Sequence, residues 1–177
     1  MAVLTPGDTV YDTGTFVVRG PGVDLNVNSQ GTKGQFVRRT MSGDGEITAR
    51  LLSREGAALD RVGLLMAKSL SPFDQAAGLI VTGGTTAQLM LRPAVAGPSA
   101  FSGSVDVRLP LLLRLKRTGT TFTASISVDD GVTWTALAEG SIPALGDAPY
   151  HVGLVLCSRS PLALGAARFG EVIATSA

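Results

Sequence analysis

Stretches such as RVGLLMAKS, AAGLIVTG, TAQLMLRP and PLLLRLKRT follow one another at short intervals, each cut off by Gly, Pro, Asp or Ser before it reaches helical length. Short apolar runs rich in β-branched residues and bounded by turn formers read as strands, and the punctuation leaves almost nowhere for a helix. The remaining strands are expected at TGTFVVRG, GVDLNVN, QFVRRTM, EITARLLS, TFTASISV, VTWTALAE, YHVGLVLCS and AARFGEVIA. Many short strands that must hide one face each close most simply into an all-β, two-sheet antiparallel β-sandwich. At 177 residues, one such domain spanning 1–177 is expected.

The connectors set the local pairing. RTGTT and VTGGTT place glycine where a tight hairpin needs positive φ. The segments at 53–60, 69–75 and 92–104 read as longer loops, the natural rim of any site at the sandwich edge. Fifteen Lys and Arg against 14 Asp and Glu give a net charge of +1, which supplies no field to gather nucleic acid. No apolar run approaches bilayer-spanning length and the N-terminus lacks a secretory pattern, so membrane insertion is not expected, and the chain reads as soluble or as an excised module. A mean hydropathy of +0.30 is high for a lone β domain and points to covered apolar surface, including self-association into a homo-oligomer. Cys157, the single cysteine, stands in an apolar run and reads as a small core hydrophobe.

The polar stretch SVDDGVTW has the spacing Ser-x-Asp-x-Gly-x-Thr-Trp, known as the Asp box, through Ser127, Asp129, Gly131, Thr133 and Trp134. Asp129 is suited to accept hydrogen bonds from turn amides, Gly131 to adopt a left-handed conformation, and Trp134 to cover the neighbouring strand. The motif therefore reads as a structural turn.

Several segments follow one another in a familiar order: GVDLNVNSQGTKGQFVRRTMSGDGEITARL, VGLLMAKSL, LLLRLKRTGTTFTASISVDDGVTWT and YHVGLVLCSRS. Over residues 13–172 the chain resembles the concanavalin A-like, laminin G-like jelly-roll modules appended to bacterial secreted glycoside hydrolases and cell-surface proteins. The resemblance implies two curved sheets packed face to face, a carbohydrate site on the concave face or its rim loops, and an extracellular or cell-surface setting. The chain departs from these modules at Asn26 and Leu112, where tryptophan is usual, at Ala67 for arginine, at Arg159 for histidine and at Gly170 for aspartate.

As a strand, GVDLNVN would put Asp24, Asn26 and Asn28 on one face, three oxygen-bearing side chains that suit a sugar or a calcium ion. As a calcium loop the segment fails, because Ser29 stands where the sharp turn needs glycine and Gln35 where a bidentate Glu is needed. No metal or cofactor motif is therefore expected, with calcium left open. His151 is the only histidine, and Asp44 and Glu46 are neighbours on one strand tip, too close in sequence to form a facing glycosidase pair. Arg38, Arg50, Lys68, Arg92, Arg114 and Lys116 are scattered through strands, and arginine forks to carboxylates.

The expected function is a non-catalytic, carbohydrate-binding module ancillary to a larger protein, with Asp24, Asn26, Asn28 and Arg92 as ligand-binding residues and a glycan or a neighbouring protein domain as partner. The alternative is an assembly domain in which Ala67, Leu112 and the segment AVAGPSAF meet another domain or subunit. A glycoside hydrolase is the third reading.

Overall fold

The computed structural model describes residues 7–25, 33–146 and 148–177. In chain order the strands are β1 (Asp8–Asp12), β2 (Thr15–Gly22), β3 (Gln35–Met41), β4 (Gly45–Glu55), β5 (Arg61–Ala67), β6 (Ala76–Thr82), β7 (Thr86–Arg92), β8 (Ala100–Asp106), β9 (Leu111–Thr118), β10 (Thr121–Ser127), β11 (Thr135–Ser141), β12 (Tyr150–Cys157) and β13 (Ser160–Ser176). A single 3-10 turn, Pro143–Leu145, is the only helical element among the described residues. A seven-stranded sheet in the order β1-β2-β13-β4-β9-β10-β11 faces a six-stranded sheet in the order β3-β12-β5-β6-β7-β8, and all pairings are antiparallel. The all-β, two-sheet sandwich expected from the strand pattern is the architecture found.

Strand alternation explains which faces meet. Along β4, Gly45, Ile47, Ala49 and Leu51 are buried while Glu46, Thr48, Arg50 and Leu52 are half-exposed, and β9 sends Leu111, Leu113 and Leu115 the same way. These inward rows meet Val62, Leu64 and Met66 of β5, Ala77 and Leu79 of β6, and Val152, Leu154 and Leu156 of β12 in one core. Each fully buried aliphatic side chain of this kind contributes about 1.5–3 kcal/mol. The strands β5, β6 and β12 are nearly continuous apolar runs because their outward positions are buried as well. Leu65, Ala67, Ala76, Ile80, Met90, Val155 and Cys157 form a second cluster on that outer face, roofed by Leu25 and Phe101.

Three sequence expectations change. Strands β1 and β8 were not expected; β8 begins inside the segment read as a loop at 92–104. Both are edge strands that pair on one side only, and their Gly, Ser and Asp residues lower the strand signal. The strand expected at GVDLNVN does not continue past Gly22: Val23, Asp24 and Leu25 lie outside β2, so the proposed single face for Asp24, Asn26 and Asn28 does not form at Asp24. Asn26 and Asn28 lie outside the described residues. The strand expected from Val132 begins at Thr135, because the preceding residues belong to the turn.

The hairpin glycines fall where expected. Gly119 links β9 to β10 at φ 58°, and Gly83 and Gly84 link β6 to β7 at 63° and 73°. A different constraint holds Gly153 in β12: a Cβ there would stand 1.9 Å from the carbonyl oxygen of Val37 and 2.8 Å from Cα of Arg38 on β3. Backbone cannot yield as a side-chain tip does, so Gly153→Ala is expected to cost about 2–3 kcal/mol or more, read as a lower urea midpoint with a native-like m-value.

Candidate functional site

The outer face of the six-stranded sheet carries a trough, and its register explains why. One cross-strand row runs Thr40, His151, Ala67, Ala76, Arg92; the next runs Arg38, Gly153, Leu65, Gly78, Met90. Ala67 and Ala76 lie inside the first row and Gly153 and Gly78 flank Leu65 in the second, so the sheet surface is low there while larger groups stand at either end. The hollow has a volume of about 140 Å³; Phe36, Leu65, Ala67, Ala76 and Val155 make an apolar floor, and Arg38, Arg92, Ser69, Ser71 and Asp74 stand around it. The connector from β5 to β6 forms one wall, stiffened from within. Ser69 Oγ donates to Asp74 Oδ2 at 2.7 Å, the Gln75 amide donates to Asp74 Oδ1 at 2.9 Å, and the Ser71 amide donates to Ser69 Oγ at 3.0 Å.

Arg92, chosen from sequence for its chemistry, lies at the end of the floor and is only 2% exposed. Its Nη1 donates to the carbonyl of Pro72 at 2.8 Å, tying the wall to β7. Burial pushes its pKa down, partly opposed by the charge of Asp74. Arg38, by contrast, is exposed and forms no ion pair among the described residues. Burial and then the nearby Arg38 charge lower the pKa of His151, whose Nδ1 lies 3.4 Å from Thr40 Oγ1. Both effects favour the neutral ring.

Asp24 sits elsewhere on the same face and is already engaged. Its Oδ1 accepts from Arg61 Nη1 and its Oδ2 lies 3.5 Å from Arg159 Nη2, with its side chain 13% exposed. Arg61 in turn lies over the ring of Phe101 at 4.7 Å, and desolvation lowers its pKa against the opposing charge of Asp24. This network pins the segment after β2 onto β5. Cys157, beneath it, is buried, and desolvation lifts its thiol to about 11, so it stays protonated. Ala67 and Leu112, considered above as contact points for a partner, are only 8% and 6% exposed, and the little area that Ala67 shows lines the trough.

The Ser127–Trp134 turn is a closed hydrogen-bond system on the other sheet. Gly131 N donates to Ser127 Oγ at 2.9 Å, Ser127 Oγ to Asp129 Oδ1 at 2.8 Å, Thr133 N to Asp129 Oδ1 at 2.9 Å, and Thr133 Oγ1 to Asp129 Oδ2 at 2.6 Å. Gly131 takes φ 86°, and the Trp134 ring lies under the Arg114 guanidinium at 4.2 Å. Both carboxylate oxygens of Asp129 are thus occupied by the turn. Nearby, Arg50 is gripped by Glu171 at 2.7 Å and Asp130 at 2.8 Å, a pairing of residues far apart in sequence that no local pattern signals. Among the described residues no three His, Cys, Asp or Glu side chains gather to hold a metal.

Other hollows are lined differently. One of about 490 Å³ is bounded by 106–110 and Val128, so a single connector supplies most of its walls. One of about 290 Å³ opens on the sandwich flank between Phe16, Val37, Ile47 and Val172 and is mainly apolar.

Compared by sequence, the chain matches no protein-family profile and none of the curated proteins. By structure it is similar to a functionally unknown protein from Saccharomyces cerevisiae, at TM-score 0.75 and 17% identity over 99% of this chain and 95% of that one. It is similar to the carbohydrate-binding module CBM66 from Bacillus subtilis, at TM-score 0.60 and 13% identity over 98% and 94%. It also resembles the GH43 protein BlXynB from Bacillus licheniformis, at TM-score 0.68 and 16% identity; 93% of this chain is matched but only 33% of that protein. These likenesses define the class as a β-sandwich with jelly-roll neighbours.

Two predictions follow from the occupied carboxylates. Asp24→Ala leaves Arg61 buried without its counter-ion and is expected to cost about 3 kcal/mol in chemical unfolding, whereas Asp24→Leu combined with Arg61→Met recovers much of that loss. The Asp129 carboxyl is held down at about 2 by the hydrogen bonds of Thr133 and Ser127. Its contribution is complete above the unfolded-state value near about 4 and is lost as pH falls toward about 2. Melting temperatures across that interval should fall more steeply for the native protein than for Asp129→Asn.

Proposed function

We propose that the chain, residues 1–177, is a single non-catalytic module of the concanavalin A-like, laminin G-like jelly-roll kind that binds glycan in the outer-face trough. The carrying observation is the combination found there: an apolar floor of Leu65, Ala67, Ala76 and Val155 beside Phe36, with hydroxyl and guanidinium groups at its rim. A sugar ring has the same division, with C–H groups on its faces and hydroxyls at its edge, and sites that take such ligands pair apolar area with a few placed polar groups. The volume of about 140 Å³ suits one ring, well below the roughly 300 Å³ at which larger ligand pockets begin. In this reading Arg38 and Arg92 supply donors, and Asp24 acts indirectly by fixing the neighbouring segment.

The non-catalytic part of the reading draws support from the carboxylates. Asp74 is the only one lining the trough among the described residues, and both its oxygens take hydrogen bonds from the wall. Glycoside hydrolysis needs two carboxyl groups facing each other about 5–9 Å apart. The likeness to the carbohydrate-binding module CBM66, nearly complete on both chains, supports the glycan-binding reading.

The test is a glycan array, followed by affinity electrophoresis with Ala67→Leu. Filling the floor at Ala67 should weaken binding at least about tenfold, a loss of roughly 1.4 kcal/mol, in a variant whose cooperative melting shows that it is folded. No binding to any neutral or acidic glycan at high protein concentration, or binding indifferent to Ala67→Leu, would remove the reading.

A further inference from the structure

The charges around the trough say which sugars it takes, an inference that rests on the glycan-binding reading above. We infer that the bound sugar is a uronic acid whose carboxylate is held by Arg38.

The outer face and its covering loops present the cations Arg38, Arg61, Arg92 and Arg159 against the carboxylates Asp24 and Asp74, an excess of positive charge. The carboxylates are committed. Asp24 is shared between Arg61 and Arg159, and Asp74 takes Ser69 Oγ on one oxygen and the Gln75 amide on the other. Arg92 is sunk in the floor with Nη1 on Pro72. Of these four, Arg38 is the one that is exposed and has no ion pair among the described residues, since the exposed Arg159 is held by Asp24.

Its position is specific. Arg38 lies directly across from Gly153, which lies across from Leu65, so no side chain stands between the guanidinium and the apolar floor. The same absence is enforced by the packing of β3, since a Cβ on Gly153 would strike the backbone of Val37 and Arg38. A ring resting on Leu65, Ala67 and Ala76 therefore presents its edge substituent to a solvent-accessible, always-charged fork. Charge-assisted bonds from such a fork to a carboxylate are roughly twice as strong as those to a neutral hydroxyl, and the two parallel bonds also fix orientation. A cationic sugar would meet net repulsion at the same place.

The experiment is titration calorimetry with trimers of galacturonate, glucuronate and mannuronate, each beside its carboxyl-reduced, neutral counterpart, with dextran sulfate as a further arm. At least one uronate should bind about tenfold or more tighter than its reduced form, and the difference should shrink between roughly 0.05 and 0.5 M salt. Arg38→Gln should erase the difference and Arg38→Lys should keep part of it; the position is exposed, so melting temperatures should not move. Equal binding of acid and reduced forms overturns the uronate inference and leaves the glycan module standing. Binding of dextran sulfate with no uronate bound overturns the carboxylate assignment. No binding in any arm, with the array of neutral glycans also silent, overturns both.

Discussion

The six-stranded sheet carries aliphatic side chains on both faces, and the rest of the structure answers that constraint. One face is satisfied by the seven-stranded sheet, which closes the main core. The other would be a broad apolar surface in water, so loops are drawn across it: Leu25 after β2 and Phe101 at the start of β8 pack onto Leu65, Ile80, Met90 and Val155. With each buried aliphatic worth about 1.5–3 kcal/mol, the covering is driven by burial. The buried ions on this face contribute little net energy by themselves, because desolvation offsets their attraction. Their effect is on position, since Arg61 accepts only a segment that brings Asp24 to it.

The trough exists where this covering stops. Between the wall stiffened by Ser69 and Asp74 and the edge strand β3, the outward positions are Ala67, Ala76, Gly78 and Gly153, too small to fill the space themselves. The same edge strand brings Arg38 to the mouth. A hollow with a greasy base and a charged rim thus arises from packing constraints that also hold the sheet together.

Much of the fold was legible in the sequence. The strands with strong aliphatic alternation, from β4 through β7 and from β9 to β12, were visible because their burial requires that pattern, and glycine marked the hairpins because only glycine takes the needed φ cheaply. The polar residues of the Ser127 turn were legible for the same local reason: their partners lie within four positions. The site was less so. Arg92 was singled out and does border the trough, whereas Arg38 was only one of several scattered cations, and Asp24, assumed to lie on a strand face, turned out to be held by Arg61 and Arg159.

By itself the sequence determined strand content, turn chemistry and the need for two sheets, all of which follow from side-chain periodicity and backbone preferences over a few residues. Only the tertiary structure decided that Arg38 faces Gly153, that Ala67 sits beside Ala76, and that Asp24 is spent on Arg61 while Arg38 stays unpaired among the described residues. Those outcomes depend on the register between strands distant along the chain, and register is set by the packing of the whole sandwich.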